Sequence, residues 1–383
     1  MKHVDIVCYT SKLCNLRCRY CYELPMLGDS TRMSLDSIER LFVNVLRGLS
    51  DAAGPVEINF YWHGGEPLLI PAASYRQMFD IQARVFAGSA HRVTNNIQSN
   101  FTVVDDERIA LLREFETVGA SLDLFGGLRV DLRNRDSAAR AIRNLDRVRD
   151  AGIDVGGITV LSRANAPHVE EIYRFYRSRR MRFRVLPVEK GLYPDGQPFE
   201  LGPHAVLDAY TKLLDLWLAD DEPVTVKPLD RFLCLVLHAN RRLENRVPPY
   251  DPVHPSVLLV DTDGSVYTYG ERFGRTAGNL FATPLDRILA GDDYAETLQA
   301  IRARMQSTCS RCPHYQRACM GDPIGESCQD FIEHDDDGSV RCIVARGVID
   351  HLEQRLRERG NIFLGTTYDE RAVLAGRVDV ALA

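Results

Sequence analysis

No stretch of this sequence approaches the roughly 18 uninterrupted apolar residues that a membrane-spanning helix needs. A secretory signal is also missing, because "MKHVDIVCYT" carries Asp5 inside its only early apolar run and shows no cleavage pattern. Nor is there a basic excess: 47 Lys and Arg stand against 53 Asp and Glu, a net charge of −6. That balance argues against a general nucleic-acid binder, which needs a cationic footprint. The one locally basic stretch, "RFYRSRRMRFR", holds Arg174, Arg177, Arg179, Arg180, Arg182 and Arg184. It reads as a solvated helix end running into a strand, with a site for an acidic peptide as the alternative. These absences predict a cytoplasmic chain with no membrane and no nucleic-acid partner, where thiols stay reduced and disulfides are rare.

What is present is ample material for a core, 45% hydrophobic residues in a chain of 383. Apolar runs of strand character at 4–10, 56–63, 91–99, 117–123, 154–162 and 181–188 alternate with stretches of helical spacing. Ser34 and Asp105-Asp106 are helix starts, and Gly152 is a helix stop. Six βα repeats imply a parallel sheet, because each crossover packs back on the same sheet with a right-handed turn. Six strands leave a choice between an open doubly wound sheet and an incomplete barrel, and the lack of a Gly-x-Gly-x-x-Gly after the first strand weakens the dinucleotide-binding version. After residue 188 come a Gly/Pro-rich connector, a long helix at 203–219, and a hairpin turning at Asp263-Gly264. A helical stretch, "LDRILAGDDYAETLQAIRARM", then leads to a second group of cysteines. The expected divisions are a core at 1–190, a helical connector at 191–254, a cysteine-bearing extension at 255–350, and a C-terminal helix and tail at 351–383.

Three of the ten cysteines, Cys14, Cys18 and Cys21, fall within eight positions just after the first strand. Ligand chemistry in parallel α/β architectures belongs at that edge of the sheet. A structural zinc site presents four ligands in two pairs, and no fourth ligand stands near these three. Three thiolates can instead hold a [4Fe–4S] cluster by three irons and leave the fourth iron open to a small molecule.

Cys14-x3-Cys18-x-Tyr20-Cys21 resembles the signature of the radical SAM superfamily. The resemblance implies a partial (β/α)6 barrel in which the unique iron binds S-adenosylmethionine, and an electron from the cluster cleaves it to methionine and a 5′-deoxyadenosyl radical. Gly64-Gly65-Glu66-Pro67 resembles the family's GGEP motif, which receives the cofactor's amino group. By the same resemblance Tyr20, His63, Asn100 and Ser121 would contact the cofactor. One of Arg129, Arg133 and Arg135 would pair with its carboxylate, and Arg135 is assigned; Val160 and Leu161 would offer backbone contacts to the adenine. Taken singly, each of these residues also reads as an ordinary loop, cap or core position.

"CSRCPHYQRAC" adds Cys309, Cys312 and Cys319, with Cys328 and Cys342 beyond. This resembles the SPASM or twitch extension of radical SAM peptide maturases, where auxiliary [4Fe–4S] clusters are bound; a zinc ribbon is the competing reading. The sequence departs from that pattern. Tyr269 stands where the family usually has a cysteine, and no cysteine lies between Cys234 and Cys309. One auxiliary cluster is therefore expected, held by Cys309, Cys312, Cys319 and Cys342, with Cys328 as a substitute ligand. Cys8 and Cys234 read as buried small hydrophobes. "DTDG" at 261–264 is a hairpin turn rather than a calcium loop, since Arg272 occupies the twelfth position. "HDDDG" at 334–338 reads as another solvated turn.

The function implied is hydrogen abstraction from a ribosomally made precursor peptide, giving a cross-link (a cyclophane among them), a thioether or an epimerised centre. Expected partners are that peptide, a separate leader-recognition protein, and a flavodoxin- or ferredoxin-type reductant. The alternatives are a twitch-type dehydrogenase or epimerase of a small molecule such as an aminoglycoside precursor, and a sulfatase-type maturase.

Overall fold

The computed structural model describes residues 3–188, 198–241, 257–268, 275–319, 321, 332–334 and 340–358. Cys328, Tyr269, Arg272, residues 335–338 and the tail from 359 lie outside them.

Six strands form where the apolar pattern places them: β1 (His3–Tyr9), β2 (Glu57–His63), β3 (Arg92–Ser99), β4 (Thr117–Ser121), β5 (Val155–Leu161) and β6 (Phe183–Pro187). Burial alternates residue by residue along β2 and β5, as a pleated strand between two environments requires. Each strand pairs in parallel with the next. The crossovers carry helices α1 (Leu35–Arg47), α2 (Ala72–Val85), α3 (Asp106–Leu112), α4 (Ala138–Asp150) and α5 (Val169–Ser178). Ser34 caps α1 by accepting from the Ser37 N–H, and Asp105 caps α3 by accepting from Arg108. Gly152 ends α4 at φ +81°, its N–H returning to the Arg149 carbonyl.

The later elements are α6 (Pro203–Ala219), β7 (Val226–Lys227), α7 (Leu229–Arg241), β8 (Val257–Val260), β9 (Ser265–Thr268) and β10 (Gly278–Asn279). They are followed by α8 (Leu285–Leu289), α9 (Asp292–Cys309), β11 (Ile332–His334), β12 (Val340–Cys342) and α10 (Val344–Glu358). The full sheet has the order β10-β9-β8-β1-β2-β3-β4-β5-β6-β7, so among the described residues the barrel stays open. Strand β8 pairs in parallel with β1, which makes the hairpin β8–β9 a continuation of the barrel sheet. One apolar core runs from Val4 through Leu145 and Trp217 to Leu280 and Leu352, and among the described residues the extension forms no separate core. Helix α10 returns to α6, where Arg355 and His351 pair with Asp215 at 2.7 Å. The expected single helix at 285–305 is broken at Ala290-Gly291, where Gly291 is extended and starts α9.

In the basic stretch, Arg174, Arg177, Arg179 and Arg182 pair with Glu170, Asp220, Asp146 and Asp154. That is the solvated helix end. No described helix is long and apolar enough to cross a membrane.

Candidate cofactor and cluster site

The loop leaving β1 is fastened to the loop leaving β2. The Gly65 N–H donates to the Ser11 carbonyl at 2.9 Å, and the Glu66 N–H donates to the Leu13 carbonyl at 2.8 Å. A Cβ on Gly64 would lie 2.2 Å from the Ser11 oxygen, and one on Gly65 2.2 Å from the Leu13 oxygen. Gly64 also takes φ +117°, a region that L side chains avoid. The two glycines therefore allow close approach of one backbone to another.

Cys14, Cys18 and Cys21 gather in a small apolar cluster apart from the main core, with Leu16, Tyr20, Leu128, Val160 and Val188. The Cys21 N–H donates to the Cys18 carbonyl at 3.0 Å, and the Leu16 N–H points at the Cys14 sulfur at 3.4 Å. A second strip of chain holds the loop from outside: Arg17 N–H donates to the Val130 carbonyl and Arg19 N–H to that of Leu128. Burial pushes the thiols of Cys14 and Cys21 up to about 12, and raises that of Cys18. Thiols in such a setting become ligands when a metal centre supplies the compensating positive charge.

Glu66 is buried and already occupied. Its carboxylate accepts from the Leu68 N–H, from the Ser99 hydroxyl at 2.7 Å and from the Asn100 N–H at 2.8 Å, so it knots the ends of β2 and β3 together. Burial raises its pKa against the pull of those donors. Pro67 opens the following turn and is buried. His63 lies 5.2 Å, ring to ring, from Tyr9, and its carbonyl accepts from Thr10.

The remaining assigned residues divide into two groups. Asn100 stands at the cysteine loop, its Nδ2 donating to Asn15 Oδ1 at 2.9 Å and lying 3.9 Å from the Cys14 sulfur. Tyr20 donates its hydroxyl to the buried Asp123, and Arg129 donates to that same hydroxyl at 3.1 Å. Asp123 also accepts from the Val160 N–H at 2.9 Å, so that amide has a protein partner. The Ser121 hydroxyl accepts from Gln98 Nε2 at 2.8 Å. Leu161 is wholly buried in the main core. Arg135 departs furthest from its assignment: its side chain is 60% exposed and pairs with Asp131 at 2.7 Å. Arg129 takes the inner position, beside Tyr20 and Asp123 in the buried run 128–130, whereas Arg133 and Arg135 lie in the exposed run 132–136. Asp123 was legible as an edge polar group two residues after Ser121; its partners were not.

The extension forms a second site. Cys309, Cys312, Cys319 and Cys342 line one cavity with His314, Tyr315 and Arg346. Burial pushes the Cys309 thiol up to about 12, and the neighbouring thiols push the same way. The Gly321 N–H points at the Cys319 sulfur at 3.4 Å. Among the described residues no three His, Cys, Asp or Glu side chains converge on a point that could hold one metal ion. Cys8 is buried as expected, whereas Cys234 is only half-buried.

"DTDG" is the turn of the β8–β9 hairpin, where the Gly264 N–H donates to the Asp261 carbonyl and Gly264 sits at φ +87°. The Asp261 side chain reaches back to Lys12 in the cysteine loop at 2.8 Å, a largely buried ion pair between residues too far apart in the chain for any local pattern to announce.

Residues 8–176 match the family model for the Radical SAM superfamily. A serine-type anaerobic sulfatase-maturating enzyme of Klebsiella aerogenes is 34% identical over 166 residues, 42% of this chain and 40% of that enzyme. A cysteine-type anaerobic sulfatase-maturating enzyme of Clostridium novyi (strain NT) is 24% identical over 271 residues, 67% of this chain and 70% of that enzyme. The match thus spans about 40% of the serine-type relative's length. The solved structure of native anSMEcpe with bound AdoMet and Cp18Cys peptide has the same fold, with a TM-score of 0.70 at 17% identity, covering 94% of this chain and 98% of that one.

Proposed function

From the match of residues 8–176 to the Radical SAM superfamily model, we propose that the chain is an S-adenosylmethionine-dependent enzyme of that superfamily and that it modifies a peptide. The observation that carries the reading is the fastening of a three-thiol loop to Gly64-Gly65-Glu66 at the C-terminal edge of a parallel barrel. A [4Fe–4S] cluster on Cys14, Cys18 and Cys21, with S-adenosylmethionine beside it, supplies a carbon radical able to take hydrogen from an unactivated C–H bond.

The chain's own residues bind, orient and exclude water. The Leu16 N–H steadies the Cys14 sulfur, and Leu16, Leu128 and Val188 close an apolar wall around the thiols. Asp123 ties three pieces of the site together: Tyr20 from the cysteine loop, Val160 from β5, and Arg129. This preorganisation keeps the reacting atoms in one geometry without reorganisation during the reaction. In the extension, Cys309, Cys312, Cys319 and Cys342 are the ligand set for one auxiliary [4Fe–4S] cluster, which supplies a one-electron acceptor or relay. Arg129 takes over from Arg135 as the arginine of the cofactor site.

The preferred substrate is a ribosomally made peptide that receives a cross-link, thioether or epimerised centre. Support comes from the Cp18Cys peptide held by the solved relative and from a cysteine set sufficient for a single auxiliary cluster. A sulfatase-type maturase is the second reading, favoured by the Klebsiella and Clostridium relatives. The test is anaerobic reconstitution followed by incubation with S-adenosylmethionine, a reductant and candidate peptides. The expected result is 5′-deoxyadenosine together with a mass or stereochemical change in a precursor peptide encoded beside the gene. Conversion of a sulfatase-site cysteine or serine to an aldehyde would move the assignment to the second reading. No 5′-deoxyadenosine with fully loaded protein would overturn both.

A further inference from the structure

The outer face of the cysteine loop carries a cationic patch that the proposed chemistry leaves unused, on a chain whose net charge is −6. We propose that this patch, formed by Arg17, Arg19, Leu132 and Arg133 with Arg135 at its rim, docks a small acidic one-electron carrier protein that reduces the centre held by Cys14, Cys18 and Cys21. The inference rests on the reading above, since it presupposes a centre that must be reduced.

The patch is built by the strip that crosses the loop. Leu16 bridges to Asp131, and the Arg19 guanidinium donates to Asn134 Oδ1 at 3.1 Å, so the turn at 131–135 lies directly against residues 16–19. The same turn sends Arg129 and Leu128 inward and Leu132, Arg133, Asn134 and Arg135 outward. Leu132 is 66% exposed, and it and Leu35 are the two exposed large hydrophobic residues among those described. Arg19 and Arg133 have no carboxylate partner among the described residues. Arg135 pairs with Asp131, and Asp136 is the other acid on the turn. Four guanidinium groups against two carboxylates leave the patch positive. Arg17 folds back to cap the carbonyls of Cys14 and Leu16, which brings one of these charges onto the cysteine loop itself.

An apolar residue at the centre of a charged rim is the layout of a small transient interface, where charge steers encounter and a modest apolar contact gives brief residence. Electron transfer weakens steeply with distance, and Arg17 and Arg19 stand on the same loop as the thiols, so this face offers a short path to them. The carrier must be acidic to be drawn to it. One electron leaves the carrier and one arrives at the centre; no bond between the two proteins forms or breaks.

The experiment uses the reconstituted holoenzyme, with reduced flavodoxin as protein donor and photoreduced 5-deazaflavin as small donor, followed by anaerobic stopped-flow spectroscopy. For the wild type, the flavodoxin rate constant is expected to fall steeply as salt rises from about 50 mM to about 500 mM, as screening shortens the reach of the charges. In Arg19→Glu/Arg133→Glu it should fall at least about tenfold at low salt, with the deazaflavin rate within about twofold of wild type. Arg19→Lys/Arg133→Lys keeps the charge and should keep the flavodoxin rate. An unchanged flavodoxin rate in the Glu variant overturns the proposal, and so does an equal loss in the Lys variant. A raised peptide KM with unchanged electron delivery overturns it in favour of a peptide-binding face. If the wild-type centre accepts no electron even from deazaflavin, the reading of the site fails rather than its docking face.

Discussion

Cys14, Cys18 and Cys21 stand on one loop inside an apolar cluster of their own, whereas Cys309, Cys319 and Cys342 come from a helix end, a turn and a strand and pack on the main core. The first group is positioned by hydrogen bonds that do not involve the sulfurs: Ser11 to Gly65, Leu13 to Glu66, Val130 to Arg17 and Leu128 to Arg19. In the second group the thiols themselves close the cavity. A scaffold that stands without its ligands, and offers three of them, suits a centre that keeps a place open for a cofactor. Three thiols built into the packing, with Cys312 beside them, suit a closed centre whose loss disturbs the fold.

The comparison breaks most completely at the first group. Replacing Cys14, Cys18 and Cys21 together with alanine should abolish 5′-deoxyadenosine formation and remove about four irons per chain, while the melting temperature stays near that of the apo wild type. Iron analysis, chromatography of the nucleoside and calorimetry check the three parts; surviving cofactor cleavage would refute the assignment of these ligands. Next in size is Gly65→Ala, whose Cβ would meet the Leu13 carbonyl at 2.2 Å. The cysteine loop must then shift by an ångström or so, for which about a hundredfold loss of cofactor cleavage is expected. If cleavage were retained, the two loops would not need their close approach.

The second group should respond differently. Cys309→Ala/Cys312→Ala should leave cofactor cleavage without substrate intact and lower modified peptide sharply, with total iron falling from about eight to about four per chain. Because Cys309 belongs to the shared core, the variant should also lose stability, on the order of 1–2 kcal/mol for that truncated side chain. Gel filtration and circular dichroism separate that loss from the loss of the cluster. Wild-type turnover of peptide by the folded variant would make the second centre structural only.

Local pattern made the first site legible and long-range contact limited the rest. The spacing of Cys14, Cys18 and Cys21, the alternation along β2 and β5, and the caps at Ser34 and Asp105 all act within a few residues, so the sequence displays them. Pairing of β8 with β1, Lys12 with Asp261, and Asp123 with Tyr20 joins residues far apart in the chain, and no local period announces it. The extension looked separate because its sequence changes character near residue 190; the sheet and the core nonetheless continue through it. At Gly64 and Gly65 the residue type was informative, while the backbone they approach, that of Ser11 and Leu13, was not legible. The glycines meet backbone, and the Glu66 carboxylate meets Ser99 and Asn100.

The smallest expected effect concerns Arg135. Arg135 binds Asp131 on the surface, and that hydrogen bond is the first cause holding the Asp131 carboxyl down to about 2. A depressed acid contributes stability that is present above its unfolded value of 3.8 and is lost as the pH falls through about 2. Arg135→Ala should therefore raise the Asp131 pKa only part of the way, since the N–H groups of residues 133 and 135 still donate to it. Any stability difference from wild type should be present at neutral pH and fade between about pH 4 and pH 2. Exposure keeps the difference small, within about 2 °C in Tm at pH 7. Cofactor cleavage should stay within about twofold of wild type, because Arg129 occupies the buried position beside Tyr20 and Asp123. Carboxyl titration by NMR reads the first part and 5′-deoxyadenosine formation the second. A large loss of cleavage in Arg135→Ala would mean that the turn rearranges when cofactor binds and carries Arg135 inward.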